Sequence, residues 1–185
     1  MFKKRNWKRK PPAEGEEETP REINPEKARS KTFDRAVNLL TYKARSIKEL
    51  RERLLEKSWT NEQIVDEVIE KLKSYNYLND ETFAKNIAAS QLRQKPMGKR
   101  LLQQKLSMKK LDKETVATAM EKAFEDMPED ELIDRAIAKR LRLKGKPKDR
   151  DEAKKFYDYL LRQGFSYDLV SSKMRELGKM EEEDM

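Results

Sequence analysis

Eight bases, Lys85, Arg93, Lys95, Lys99, Arg100, Lys105, Lys109 and Lys110, stand between Thr82 and Leu111 in a stretch that contains no Asp or Glu. At the chain-wide frequency of 35 acidic residues in 185, about six would fall there. A second acid-free run extends from Arg135 to Lys148 and carries Arg135, Lys139, Arg140, Arg142, Lys144, Lys146 and Lys148. The chemistry open to such runs is anion binding. Each Lys or Arg that neutralises a phosphate releases counterions, and a neighbouring carboxylate opposes that gain. An acidic protein surface asks for the same composition, and a basic helix face that is merely solvated is the bland alternative. Charge alone leaves these readings open.

Carboxylate chemistry has less support. Asp126, Glu129, Asp130 and Glu131 cluster, but they bracket a predicted helix start, where acids favour the macrodipole, rather than facing each other as a glycosidase pair would. The chain has no P-loop, dinucleotide-binding or nucleophile-elbow pattern, and five glycines leave little material for a phosphate cradle. Cys and His are both absent, which removes disulfides, thiolate nucleophiles, Cys/His zinc sites and His-based proton transfer. No catalytic residue, metal ligand or cofactor is expected.

The elements that must position the bases are helical. Charged residues make up 42% of the chain and hydrophobic ones 36%, and Leu, Ala, Lys, Glu and Arg dominate over β-branched runs, so the expected fold is all-α. The net charge of +8 favours acidic partners. The basic start, "MFKKRNWKRKPPAEGEEE", has no apolar segment behind it, and no window approaches a membrane span. A soluble, cytoplasmic monomer without membrane contact is expected.

The periodic region contains an internal repeat. Three anchors, Trp59, Leu111 and Phe165, lie 52 and 54 residues apart, each followed by a capping residue, Thr60, Asp112 and Ser166. Five residues after each anchor stand Ile64, Val116 and Val170; five before stand Leu54, Leu106 and Leu160. This pattern describes a helix, a tight turn and a capped second helix. A further helix precedes each pair, predicted at Thr32 to Tyr42, Asp80 to Gln94 and Pro128 to Leu143. Ser46 and Glu49 form a predicted capping box. The resulting organisation is a disordered charged arm at 1–25, three-helix repeats at 26–78, 79–127 and 128–177, and an acidic tail at 178–185. Such small units bury little alone and must pack on their neighbours, giving an elongated, curved array. Phe83, Phe156, Trp59 and Phe165 fall on repeat-core positions, and Tyr75 and Tyr77 are expected to pack at the junction of the first two units. A helix-turn-helix reading of "YLLRQGFSYDLVSSKMREL" is disfavoured, because the exposed positions of its second helix are mixed rather than rich in Arg, Asn or Gln.

Three segments, "RS..EL...L" (Arg45, Ser46, Glu49, Leu50, Leu54), "LND..FA" (Leu78, Asn79, Asp80, Phe83, Ala84) and "R....G...L...L" (Arg93, Gly98, Leu102, Leu106), resemble the RecX family of RecA regulators in order and spacing. The resemblance covers about Ala36 to Leu111 well, and the third unit mainly in its helical pattern. Family members often carry Gly in the turn before a unit's third helix; here only "RQGF" keeps it, against "EKSW" and "MKKL". The resemblance implies a non-enzymatic modulator that binds the RecA–DNA filament, contacting single- or double-stranded DNA within it, and inhibits recombinase, ATPase and coprotease activity in DNA repair and the SOS response. From the charge pattern, the candidate contact residues are Arg93, Lys95, Lys99, Arg100, Lys105, Lys109, Lys110 and the seven bases from Arg135 to Lys148. The alternative is a helical-repeat nucleic-acid-binding protein that acts without RecA through the same runs.

Overall fold

The computed structural model describes residues 24–183, with side chains to Gly178; the predicted arm, apart from Asn24 and Pro25, lies outside the described residues. Among the described residues, nine α-helices form three tandem three-helix repeats: α1 Pro25–Tyr42, α2 Ile47–Leu55 and α3 Glu62–Ser74; α4 Asp80–Gln94, α5 Lys99–Ser107 and α6 Lys113–Asp126; α7 Glu129–Lys144, α8 Arg150–Arg162 and α9 Tyr167–Glu183.

Local chemistry sets most of the starts. The Ser46, Asn79, Asp112 and Asp149 side chains accept the backbone N–H three residues on, satisfying donors that the first helical turn leaves free. Three starts differ from the sequence reading. Helix α1 begins at Pro25, seven residues before the predicted Thr32, because Asn24 caps it and Pro at the first position gives up an N–H that has no helical partner. Its buried stripe, Ala28, Thr32 and Ala36, is too small-residued to register as an apolar period. In the turn before α3 the cap is Asn61 rather than Thr60; the Thr60 hydroxyl instead pairs with that of Thr32, at 3.0 Å. Helix α7 begins at Glu129, one residue after the predicted Pro128, which occupies the N-cap position without a side-chain capping hydrogen bond. At the other end, α9 continues to Glu183, past Leu177 where the apolar pattern stops.

The end of α3 turns the junction tyrosines outward. Asn76 adopts a left-handed φ of 57°, and the Tyr77 N–H reaches back to the Leu72 carbonyl, a Schellman closure. Tyr75 and Tyr77 are therefore 53% and 65% exposed rather than packed, stacked edge to face at 6.0 Å. Leu78 takes the buried place.

The core is divided unequally. Repeat 1 encloses its own cluster, with Ala36, Leu50, Leu54, Val65, Val68, Ile69, Leu72 and Leu78. Repeats 2 and 3 share one continuous cluster that runs from Ala88 and Leu92 through Leu102, Leu106 and Leu132 to Phe156, Phe165 and Val170. Within repeat 2, α4 lies against α6 with Ala84, Ala88, Ala119 and Ala123 among the buried positions, small side chains that let the backbones approach.

The same joint links successive repeats. The Ser46 hydroxyl donates to the Lys109 carbonyl at 2.6 Å, and the Gly98 N–H donates to the Gln163 carbonyl at 2.9 Å. The Ile47 N–H is capped by Asp80 Oδ1 and the Lys99 N–H by Glu129 Oε1, both at 2.9 Å. In each case the second helix of one repeat starts against the first helix and the turn of the next. The turn residue is left-handed in both, Lys110 at φ 58° and Gly164 at φ 88°.

Exposed carboxylates tie the stability to pH. The Arg51 guanidinium lowers the Asp66 carboxyl, Arg29 lowers Glu67, and the hydroxyl and N–H of Thr115 lower Asp112. A carboxylate lowered by folding stabilises above its unfolded value, ordinarily 3.8 for Asp, and that contribution is lost as pH falls through the folded value. Asp80 runs the other way, raised mainly by burial. Urea midpoints are expected to fall between pH 6 and pH 3, with Asp112→Asn showing a shallower fall; equal slopes would contradict the assignment.

Candidate functional site

The acid-free runs are not uniform surfaces. At the end of α4 and the start of α5, Arg93, the C-cap residue Lys95 and Arg100 are exposed and form no ion pair among the described residues. Lys99 lies 3.8 Å from Glu129 of the next repeat. Lys110 pairs with Glu52 of the previous one. Lys105 is half-buried and donates to Gln91 Oε1, so it braces α5 against α4. Lys109 is half-buried, and its carbonyl is the acceptor at the joint with repeat 1. Lys85 is within 3.9 Å of Glu81 on its own helix. The first run thus divides into three freely exposed bases and a set that holds the array together.

Helix α5 breaks local rules at this point. Its first turn holds Lys99 and Arg100 and no acid, and Gly98 offers no capping side chain, although the positive end of the macrodipole disfavours cations there. The missing cap is supplied from repeat 3: Glu129 accepts the Lys99 N–H, and the Gly164 carbonyl accepts the Arg100 N–H at 3.2 Å. Distant contacts therefore maintain a basic helix start that its own sequence does not favour.

On α7 the charges are sorted along the axis, with Glu129, Asp130 and Glu131 in the first turn and Arg142 and Lys144 in the last. Arg135, Lys139 and Arg142 are exposed at spacings of four and three, along one side of the helix that flanks the buried Leu132, Ile133, Ala136 and Ile137. Arg140 turns inward over Phe156 and Tyr159, with its guanidinium carbon 5.5 and 4.5 Å from the ring centres. Around the α7–α8 joint, Arg140, Lys144, Lys146 and Lys155 line a cleft of about 170 Å³ with Glu152 the one acid. Lys148 is exposed beside it, and its backbone N–H donates to Glu152.

These are two patches, not one. Glu129 is fixed beside α5, so the acidic start of α7 separates the Arg93–Arg100 bases from the Arg142 end, which lies about 20 Å further along the helix at 1.5 Å per residue. Repeats 2 and 3, which carry the two runs, share one core.

Sequence reasoning missed Lys155 and Arg162. Both lie outside the acid-free runs, near Asp151, Glu152 and Asp158. Arg162 is exposed in the last turn of α8, directly before the Gln163 and Gly164 carbonyls that hold Gly98 and Arg100. Only the joint between repeats brings it near the first patch. Among the described residues, no group of three or more His, Cys, Asp or Glu is gathered closely enough to hold a metal ion, and no helix is long and apolar enough to cross a membrane.

Three successive family domains match the chain: the first three-helix domain of RecX over residues 33–72, the second over 79–120 and the third over 128–174. The fold is similar to the crystal structure of RecX from Lactobacillus salivarius, with a TM-score of 0.71 and 25% identity over 83% of this chain and 98% of that one. It is also similar to a crystal structure of regulatory protein RecX, with a TM-score of 0.67 and 21% identity over 80% of this chain and 73% of that one, a likeness of fold. No curated protein sequence matches it.

Proposed function

This chain belongs to the RecX family, and on that premise we propose that it binds the RecA–DNA filament and inhibits its recombinase, ATPase and coprotease activities, so regulating DNA repair and the SOS response. The observation that carries the reading is the pair of basic patches carried by repeats 2 and 3, which share one core. A filament of protein on DNA offers negative charge repeated along its length, which suits spaced patches better than a single compact ligand does. The protein acts by occupying that surface; the bases need only neutralise phosphate or carboxylate charge, and no bond is made or broken.

The decisive experiment is the RecA ATPase on single-stranded DNA with this protein added below stoichiometric amounts. Inhibition is expected, weakening as salt is raised, because exposed charge contacts are screened. Unchanged hydrolysis at a molar excess would overturn the reading. Binding to bare DNA and to preformed filament is measured in the same salt series. Tight binding to bare DNA with no gain from the filament would replace the proposal with a nucleic-acid-binding protein that acts without RecA.

A further inference from the structure

Cations gathered at the α7–α8 joint lack a counter-charge. Arg140 and Lys144 stand one helical turn apart on α7, Lys146 lies in the connecting loop and Lys155 on α8, and together they line a cleft of about 170 Å³. Among the described residues none of them is within ion-pair distance of a carboxylate, whereas Lys99, Lys110, Lys122 and Lys173 are all paired. Glu152, the one acid in the cleft, is engaged by the backbone: its Oε2 accepts the Lys148 N–H at 2.9 Å. The macrodipole of α7 accounts for Lys144 in its last turn. It does not account for Lys146 or Lys155, which lie outside that helix. The cleft is also held in shape. Arg140 is stacked over the buried Phe156 and over Tyr159, so its guanidinium is fixed without an ion pair. Gly145 turns the chain at φ 76°, and the ring of Pro147 restricts the loop that follows.

We propose that this cleft binds an oligophosphate: the diphosphate or triphosphate group of a nucleotide or of an inorganic polyphosphate. Size excludes a whole organic ligand. At roughly 30 Å³ for each water in the liquid, the cleft has room for about five or six waters, or about two or three phosphoryl groups; pockets for complete small molecules begin at about 300 Å³. Charge selects the anion. A terminal phosphate brings about two negative charges and three acceptor oxygens, and each phosphoryl group joined to it adds more within the same small volume. A carboxylate or a single diester phosphate would leave most of the cations unanswered. The planar fork of Arg140 suits two oxygens of one phosphate, and the lysines add flexible point charges around it. Arg135, Lys139 and Arg142, on the outer side of α7, do not line the cleft. The inference goes beyond the filament reading and its test contains no RecA, so either can fail without the other.

The full-length chain is titrated calorimetrically with tripolyphosphate in magnesium-free buffer. A single equivalent is expected to bind, and Lys144→Gln with Lys155→Gln to weaken it on the order of tenfold, with helix content by circular dichroism unchanged because both lysines are exposed. Lys48→Gln with Lys113→Gln removes the same charge from exposed positions in repeats 1 and 2, and is expected to change the affinity by no more than about twofold because distant charges are screened. ATP in place of tripolyphosphate tells the two sources apart. Equal affinities mean that the phosphates alone are read, and tighter binding of ATP means that the nucleoside adds contacts outside the cleft; either result supports the site. Equal weakening in the two double variants would overturn the proposal, because net charge alone would then explain the binding. So would the absence of saturable binding, or orthophosphate bound as tightly as tripolyphosphate.

Discussion

Gly98→Ala is expected to lose about 3 kcal/mol of folding stability, and Gly164→Ala at least as much, large losses for the addition of one methyl group. A Cβ on Gly98 would fall on backbone atoms of Gly164 and Phe165, and one on Gly164 on the backbone and Cβ of Leu101. Backbone cannot rotate out of the way as a side chain can, so either methyl group must push α5 off the α8–α9 turn. That displacement would break the Gly98–Gln163 and Arg100–Gly164 hydrogen bonds and open the core that repeats 2 and 3 share. Gly164 carries the added strain of φ 88°, which side chains disfavour by roughly 1–2 kcal/mol. Gly145 is the control: its φ is 76°, but a Cβ there would meet nothing within 4 Å, so Gly145→Ala should show backbone strain alone. Chemical denaturation of the three variants separates the effects. A Gly98→Ala protein no less stable than Gly145→Ala would mean that repeats 2 and 3 do not depend on this approach.

That joint also marks where the sequence stops being legible. The all-α class and the tandem repeat follow from local chemistry: Leu50, Leu54, Leu102, Leu106 and Leu160 recur at fixed spacing and are all buried, and Ser46 and Asp112 cap where their side chains and positions require. Pattern reading fails where a partner far along the chain decides. Nothing local to α5 announces that its cap comes from Glu129, or that Gly98 is small because Gly164 lies against it. At Trp59's turn two candidate caps stand side by side; Asn61 is the stronger in isolation, and the Thr60 hydroxyl is engaged by Thr32. Charge follows the same division. The acid-free runs show which bases lack acidic neighbours in sequence, but Lys99, Lys105 and Lys110 find partners in space, whereas Arg162 is brought to the patch by a hydrogen-bonded turn. A repeat protein hides part of its site in this way, because each unit is completed by the next.

The division within the first run yields the second large prediction. Arg93→Glu, Lys95→Glu and Arg100→Glu together are expected to weaken filament inhibition on the order of tenfold to a hundredfold at low salt, with helix content and urea midpoint close to the parent's. Each lost phosphate contact should lower the salt slope by about one. The matched change at the second patch, Arg135→Glu, Lys139→Glu and Arg142→Glu, should give a similar loss. Because the two triples share no ion-pair partner among the described residues, the two losses should add in free energy when combined. Lys105→Gln gives the opposite signature: it removes a base from the same run, but one that donates to Gln91, so stability should fall while the salt slope stays unchanged. If the Lys105 variant loses inhibition and the Arg93, Lys95 and Arg100 variant does not, the surface is assigned to the wrong side of α5. If each triple loses inhibition but the combination loses no more than either alone, both patches bind one anion cluster, and the spacing argument for an extended partner falls with it.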